Sequence, residues 1–292
     1  LFSPILYFTA IMLPEPQTAP KTHKRRIIYG IFVAVILALG QNYISAPYTL
    51  EASLLIGNVF VWAIYRDKRY ILEFIEKKEI APGIYNFWFK PRKTLEFTPG
   101  QFFEWTVYHK NPDSRGIRRY FTIASFPGEK NVLISAKVPQ QPSTFKNKLL
   151  NLEPGDSVSI LGPQGDFVIQ DASEDKKFAF IAGGIGITPF RSMVKDMEES
   201  NMSPDIGILY FADSEKEFVF EDTFKNAEIS YNRSTRRVNA KLIKEIFPDY
   251  NERIFYVSGP DPMVRSTEKI LTGIGVKDKN IKTDYFPGYE EI

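Results

Sequence analysis

The run Ala182-Gly183-Gly184-Ile185-Gly186-Ile187-Thr188-Pro189 has the most specific chemistry in this chain. Glycines let backbone approach a diphosphate closely, a threonine can cap a helix, and proline suits a first helical turn. Placed directly after a strand and before a helix, such a turn reads as a cradle for nucleotide phosphates. A second run, Arg118-Arg119-Tyr120-Phe121-Thr122-Ile123-Ala124-Ser125, sets basic, aromatic and hydroxyl side chains close together. An arginine can pair with a pyrophosphate, a ring two residues on can lie against a flat heterocycle, and the next hydroxyl can hydrogen-bond to it. A third run, Ser258-Gly259-Pro260-Asp261-Pro262-Met263, ends a strand-like segment on a small polar side chain. At the end of another, Phe211-Ala212-Asp213-Ser214 offers a carboxylate. That group can accept from a ribose 2′-hydroxyl and repels a 2′-phosphate. Arg233, Arg236 and Arg237 cluster later and could reach a phosphate instead, so a ribose with or without a 2′-phosphate stays open, the unphosphorylated form being favoured.

These residues need two kinds of scaffold. From Tyr70 the pattern alternates and is aromatic: Tyr70 to Glu76, Ile84 to Phe89, Gln101 to Tyr108 and Val132 to Lys137, punctuated by Pro82-Gly83, Pro99-Gly100 and Pro127-Gly128. Short strands between turn signals predict an antiparallel β-barrel or sandwich, the barrel being favoured. From Lys177 the periodicity changes to strand–helix alternation. Strand-like runs at Phe178 to Ala182, Ile206 to Phe211, Arg253 to Ser258 and Asn280 to Asp284 alternate with helical segments after Thr188, Glu217, Asn239 and Pro262. That pattern predicts an α/β parallel-sheet domain with helices on both faces. The expected organisation is multidomain, with transmembrane helices over 1–68, a β-barrel over 69–170 and a nucleotide domain over 171–292.

Composition narrows the partners. The balance of 37 basic against 35 acidic residues leaves no surplus for nucleic acid. The chain has no cysteine, which excludes disulfides, thiolate-bound zinc and a cysteine-ligated iron–sulfur cluster within it. No metal site is expected, and an electron carrier held here is expected to be organic.

Together the motifs resemble the ferredoxin–NADP reductase family. Arg119-Tyr120-Phe121-Thr122 is similar to its Arg-x-Tyr/Phe-Ser/Thr motif, with Pro99-Gly100-Gln101-Phe102 at the usual place before it. Pro142-Ser143-Thr144-Phe145 resembles the turn opening the short helix that holds the flavin pyrophosphate. Gly183 to Pro189 resembles the family's nicotinamide motif, and Ser258 to Met263 its second signature. The resemblance implies FAD and NADH or NADPH as cofactors, with Arg119, Ser143 and Thr144 at the pyrophosphate and Phe121 stacked on the isoalloxazine. It implies Thr122 near N5, Lys137 at the cofactor, and Ser258, Gly259, Pro260 and Met263 beside the nicotinamide. Gly183, Gly184, Gly186, Ile187, Thr188 and Pro189 then take the dinucleotide, Asp213 its ribose, and Phe286 the other flavin face. Thr122 and Ser258 are the implied catalytic residues. Arg118–Tyr120 also aligns to the motif, but only the Arg119 register puts a hydroxyl after the aromatic. Two departures stand out: Gln141-Pro142 replaces a common glycine, and Ser258 replaces the usual cysteine.

The first 65 residues are a different material. Apolar stretches at Leu1 to Leu13, Ile27 to Ile44 and Ala46 to Tyr65 approach the roughly 20 residues that span a bilayer. Lys21, Lys24, Arg25 and Arg26 lie between the first two, Arg66, Lys68 and Arg69 follow the third, and Gln41 to Leu50 has no Lys or Arg. The positive-inside rule makes both basic segments cytoplasmic, and the reductase with them. Leu1 opens inside an apolar run, so the chain is expected to continue upstream; no basic segment or cleavage site marks a signal peptide. Leu13-Pro14-Glu15-Pro16-Gln17-Thr18-Ala19-Pro20 and Ile27 to Phe32 resemble a bacterial family of membrane proteins. It comprises the B subunit of the sodium-pumping NADH:quinone reductase and the D subunit of the Rnf complex. The resemblance implies a bacterial inner membrane and an electron acceptor there: a quinone, a membrane flavin or a partner redox protein. Two other readings are a catalytically silent nucleotide sensor and a ferric-reductase-like protein. The second needs paired histidines within spans, and the chain has only His23 and His109.

Overall fold

The computed structural model describes residues 7–13, 20, 23–44, 48–64, 68–227 and 229–286. The chain divides into two compact units, Leu1–Lys68 and Arg69–Ile292.

The first unit pairs helix α1 (His23–Leu39), extended by a wider turn over Gly40–Ile44, with helix α2 (Thr49–Ile64). They approach closely because Gly57 has no side chain: a Cβ there would meet Val33 at 2.4 Å and the Tyr29 ring at 2.9 Å. Phe32 stacks on Phe60 at 4.1 Å, and the Tyr29 hydroxyl donates to Asn58 Oδ1 at 2.8 Å. Small residues at the crossing and one polar link are how helices associate where no hydrophobic drive separates them from their surroundings. Ile27, Ile31, Val35, Leu55, Val59 and Trp62 are exposed. The sequence predicts three spans, but only Arg25–Asn42, 18 residues, is long and apolar enough to cross a membrane among the described residues. Thr49–Ile64 is shorter, and among the described residues of the first stretch Phe8–Met12 forms a short wide helical turn. The proline-rich segment at 14–19 lies outside the described residues.

The second unit contains two sheets. Strands β1 (Lys68–Ala81), β2 (Ile84–Pro91), β3 (Phe102–Thr106), β4 (Arg118–Thr122), β5 (Val132–Lys137) and β6 (Ser157–Gln164) form a curled antiparallel sheet, a half-barrel, in the order β4-β3-β6-β1-β2-β5. Alternation drives the curl: Leu72, Phe74, Phe87, Phe89, Phe103, Trp105, Ile134 and Ile160 all turn into one core, which helix α3 (Thr144–Leu150) closes through Phe145 and Leu149. β1 runs several residues past the expected Glu76, because Lys77, Lys78 and Glu79 continue the ladder with β2 on an exposed edge.

The other sheet is parallel throughout. It comprises β7 (Lys177–Gly183), β8 (Asp205–Phe211), β9 (Ser230–Ser234), β10 (Ile254–Pro260) and β11 (Ile281–Phe286), in the order β11-β10-β7-β8-β9. Its strands bury both faces. Phe178, Phe180, Ile208 and Tyr210 pack on helix α4 (Thr188–Glu199) through Phe190, Met193 and Val194. Ala179, Ile181, Leu209, Phe255 and Val257 pack on α6 (Ala240–Ile246) and α7 (Asp261–Gly273) through Ile243, Val264 and Leu271. Between β8 and β9 runs the short helix α5 (Glu221–Asn226), later than the helix expected after Glu217, because Glu215–Glu217 forms only a single tight turn. β9, polar and at the edge, is absent from the expected strands. Chain order reverses between β7 and β10, and in such sheets ligands bind outside the carboxyl ends at that reversal.

Candidate cofactor site

At the reversal, the glycine turn is built as a close approach of two chain segments. β7 ends on Gly183, and a tight turn over Gly184–Ile187 feeds straight into α4. A Cβ on Gly186 would lie 2.3 Å from the Ser258 carbonyl oxygen, so only glycine lets this turn sit on the end of β10. Gly184 has φ +53°, the left-handed region, and open space around it. Pro189 falls in the first turn of α4 as expected. Thr188 does not cap the helix. Because the turn is already helical, no extended residue precedes α4; the residue ahead of it is Ile187, and the buried Thr188 hydroxyl donates back to the Ile185 carbonyl at 3.1 Å.

Ser258 pairs with Ala182 on one side and Asp284 on the other. Its side chain is fully buried, and its Oγ meets strict hydrogen-bond geometry with none of the described residues, although the Asp284 carboxyl lies close enough to feel it. Burial in this strand end pushes the Asp284 carboxyl up to about 6; the Ser258 hydroxyl pulls it down and the charge of Asp166 pushes it up again. Gly259 Cα, Pro260 and Met263 close over Gly183: a Cβ there would meet Met263 Sδ at 2.6 Å and Pro260 at 3.2 Å. Phe286 ends β11, but its side chain and the tail after it lie outside the described residues.

On β4, Arg119 and Phe121 share one face. Phe121 is half-buried, stacked on Phe145 of α3 at 5.9 Å and edge-on to Trp105 at 6.3 Å. Arg118 and Tyr120 share the opposite face, where both meet Glu104, at 3.3 Å and 3.0 Å. Thr122 is buried, and its Oγ1 has no hydrogen-bond partner among the described residues. Just beyond it the two sheets lock together. Arg191 of α4 donates to the Ala124 carbonyl at 2.6 Å and pairs with Glu129 at 2.9 Å, and Ser192 donates to the Ser125 carbonyl at 2.7 Å. Lys137, ending β5, reaches Glu217 at 2.7 Å and the exposed Asp213 at 3.5 Å. Ser143 caps α3 by accepting from the Lys146 N–H, and Thr144 opens that helix. The implied residues therefore form three groups: Gly183–Pro189 with Ser258–Met263, Arg119–Phe121 with Ser143–Thr144, and Lys137 with Asp213.

Sequence reasoning missed Asp113, Asp284 and Lys146. Asp113 pairs with Arg115 and Arg119 inside its own loop, whereas Asp284 meets Ser258 only across the sheet.

The donor set fits a dinucleotide and a flavin. A buried hydroxyl without a partner is costly unless something else satisfies it, and Thr122 Oγ1 is of this kind among the described residues. The glycine turn leaves open space beside Gly184 for a diphosphate. A cavity of about 430 Å³ lies elsewhere, among Lys90, Arg92, Phe97, Phe126 and Lys130, so the motifs locate this site better than cavity size does.

Comparison with known proteins agrees in fold and domain. Residues 180–239 match the family model of the oxidoreductase NAD-binding domain. The F subunit of the Na(+)-translocating NADH-quinone reductase of Neisseria meningitidis is 30% identical, over 59% of this chain and 50% of that protein. This chain thus spans about half the length of those relatives. A flavohemoprotein of Rhodopirellula baltica is 24% identical over 85% of this chain and 70% of its own. Among solved structures, the FAD/NAD-binding domain of the Vibrio cholerae nitric oxide dioxygenase superposes with a TM-score of 0.63 at 21% identity, covering 76% of this chain and 99% of that one. The ferredoxin–NADP+ reductase of Plasmodium falciparum gives 0.63 at 17%, covering 75% and 96%. The second unit therefore has the two-domain fold of the ferredoxin–NADP reductase-like FAD/NAD-binding oxidoreductases and contains an oxidoreductase NAD-binding domain.

Proposed function

We propose that the chain is a flavin reductase that takes electrons from NADH through FAD and passes them to an acceptor in or near a membrane. The observation that carries this reading is the buried Thr122 Oγ1 ending β4, without a partner among the described residues, with the buried Ser258 Oγ beside Asp284 near the end of β10, each inside a motif of the reductase fold. When bound, the two cofactors supply hydride transfer from nicotinamide to flavin and the flavin's single-electron release; the protein positions and tunes them. Phe121 offers the flavin a flat face, and Thr122 a hydroxyl at its edge. Gly184 and Gly186 admit the dinucleotide's phosphates, while Ser258 and Met263 border the nicotinamide. Phe286 is the candidate for the remaining flavin face.

NADH is favoured for two reasons. Asp213 offers an exposed carboxylate to a ribose hydroxyl. Arg233 is held by Glu221 at 2.7 Å and Glu215 at 3.4 Å, against Phe218, which neutralises it as a phosphate ligand. The membrane assignment draws support from α1, from the basic flanks, and from a coincidence. The first unit resembles the B subunit of sodium-pumping NADH:quinone reductases, and the second is similar to their F subunit. We accordingly place the reductase on the cytoplasmic side of a bacterial inner membrane, with a quinone, a membrane flavin or a redox protein as acceptor.

The test is spectroscopic. The purified chain should show a flavin spectrum that NADH bleaches under anaerobic conditions, with a higher kcat/KM for NADH than for NADPH. A spectrum unchanged by either nucleotide would rule out the reductase, and a tenfold preference for NADPH would overturn the cofactor choice.

A further inference from the structure

The cavity of about 430 Å³ that lies apart from the cofactor motifs is lined mainly by cations. Lys90, Arg92 and Lys93 come from the end of β2 and the residues after it, and Lys130 from the turn between β4 and β5. All four are exposed. Lys90, Lys93 and Lys130 have no ion-pair partner among the described residues, and the Arg92 side chain donates to the Ser157 hydroxyl at 3.3 Å rather than to a carboxylate. The one acid in the lining, Glu129, is held by Arg191 at 2.9 Å and accepts from the Phe126 N–H at 3.3 Å. Glu73 stands opposite Lys90 in the ladder, outside the lining. The lining thus has a surplus of three positive charges (4 − 1). Gathered cations repel one another, and an anion between them removes that cost. Phe97 and Phe126, half-buried, add an apolar wall, and the volume is in the range of small-ligand sites. Cations beside an apolar wall suit a phosphate ester, which has both a charge and a carbon body.

Chain order points to the source of that ester. β1 opens at Lys68, the residue that closes the first unit, and Ile64, the end of α2, precedes it by four positions (68 − 64). The Arg92 N–H donates to the Ile71 carbonyl at 3.1 Å, and Leu72 pairs with Pro91. The cations therefore lie beside the first residues of β1, where the strand begins after the apolar helices. Lys78, opposite Asn86, marks the other end of the same strand pair. Basic residues next to a membrane segment meet the negative surface of the cytoplasmic leaflet, and each lysine or arginine there strengthens the attraction about fivefold.

We propose that this cavity binds the phosphate headgroup of an anionic phospholipid through Lys90, Lys93 and Lys130. The proposal rests on the membrane reading above and gives it a lipid class and a site. The three lysines are exposed, so replacing them leaves the core of the half-barrel intact.

The full chain is placed in nanodiscs of phosphatidylcholine, with or without phosphatidylglycerol. Its lysines are then acetylated with a neutral reagent, and the rate at each is read by mass spectrometry. In the anionic discs Lys93 and Lys130 should react about fivefold more slowly or less, while Lys78 reacts alike in both. Lys93→Gln combined with Lys130→Gln should return Lys90 to its rate in neutral discs, and high salt should do the same in wild type. Equal rates at Lys93 and Lys130 in the two discs overturn the proposal alone. So does equal slowing at Lys78, which would mark a general effect of the charged surface. Glycerol phosphate that protects Lys93 and Lys130 in neutral discs as well as phosphatidylglycerol does would make the ligand a soluble ester and overturn the lipid assignment. A chain that enters neither kind of disc overturns the membrane reading itself.

Discussion

At the scale of residues, the site depends on a polar group left unsatisfied. Thr122 is a buried hydroxyl without a partner among the described residues, and hydrogen bonding to a charged or polarised ring would recover that cost. Thr122→Val should therefore keep the flavin but slow its reduction by NADH about tenfold to hundredfold, measured by stopped flow. An unchanged rate would remove Thr122 from the site. Asp284 gives a stability prediction. Its carboxyl sits near 6 in the folded protein against an ordinary 3.8, so the native state holds the proton more tightly than the unfolded chain. That contribution is complete below the unfolded value and is lost as pH rises through the folded one, about 3 kcal/mol in all. Thermal unfolding from pH 4 to 7 should show Tm falling in wild type, with a shallower fall in Asp284→Asn.

At the scale of elements, contact between strand ends fixes the site more than any one side chain. Gly186 lies so close to the Ser258 carbonyl that a Cβ would need backbone to move. Gly186→Ala is expected to cost about 2 kcal/mol by overpacking and to weaken nicotinamide binding in the same variant. A full-affinity Gly186→Ala protein would show that the turn and β10 do not bear on each other. In the first unit, Gly57 plays the matching part between α1 and α2, so Gly57→Leu should separate that pair while leaving flavin binding alone.

At the scale of the whole molecule, the two units fold on separate cores. The second is tied internally by Arg253, which is buried against Asp205 at 2.8 Å and Asp249 at 2.6 Å and donates to the Phe178 carbonyl at 3.0 Å. Arg253→Met removes the ion-pair partner of Asp205, while Asp249 keeps Lys177, and should destabilise the protein by about 2 kcal/mol, less than a fully buried pair because Asp205 is half exposed. The fragment 69–292 should unfold at the same temperature as the second unit of the full chain, observed by calorimetry. Much of this organisation was legible beforehand. The glycine turn, the Arg119–Thr122 run and the alternation that fills each sheet face are local, because backbone conformation and side-chain period depend on neighbours in sequence. β9 was not legible, since an edge strand need not be apolar. By itself the sequence determined the two reductase domains, their order and the strand ends where nucleotide chemistry would sit. Only the tertiary structure decided that Thr122 is buried without a partner among the described residues, that Asp284 is desolvated beside Ser258 and near the charge of Asp166, and that Arg119 closes a loop while Lys146 has no ion-pair partner among the described residues. Those properties are set by burial and by charges brought together from distant parts of the chain, and no local pattern records them.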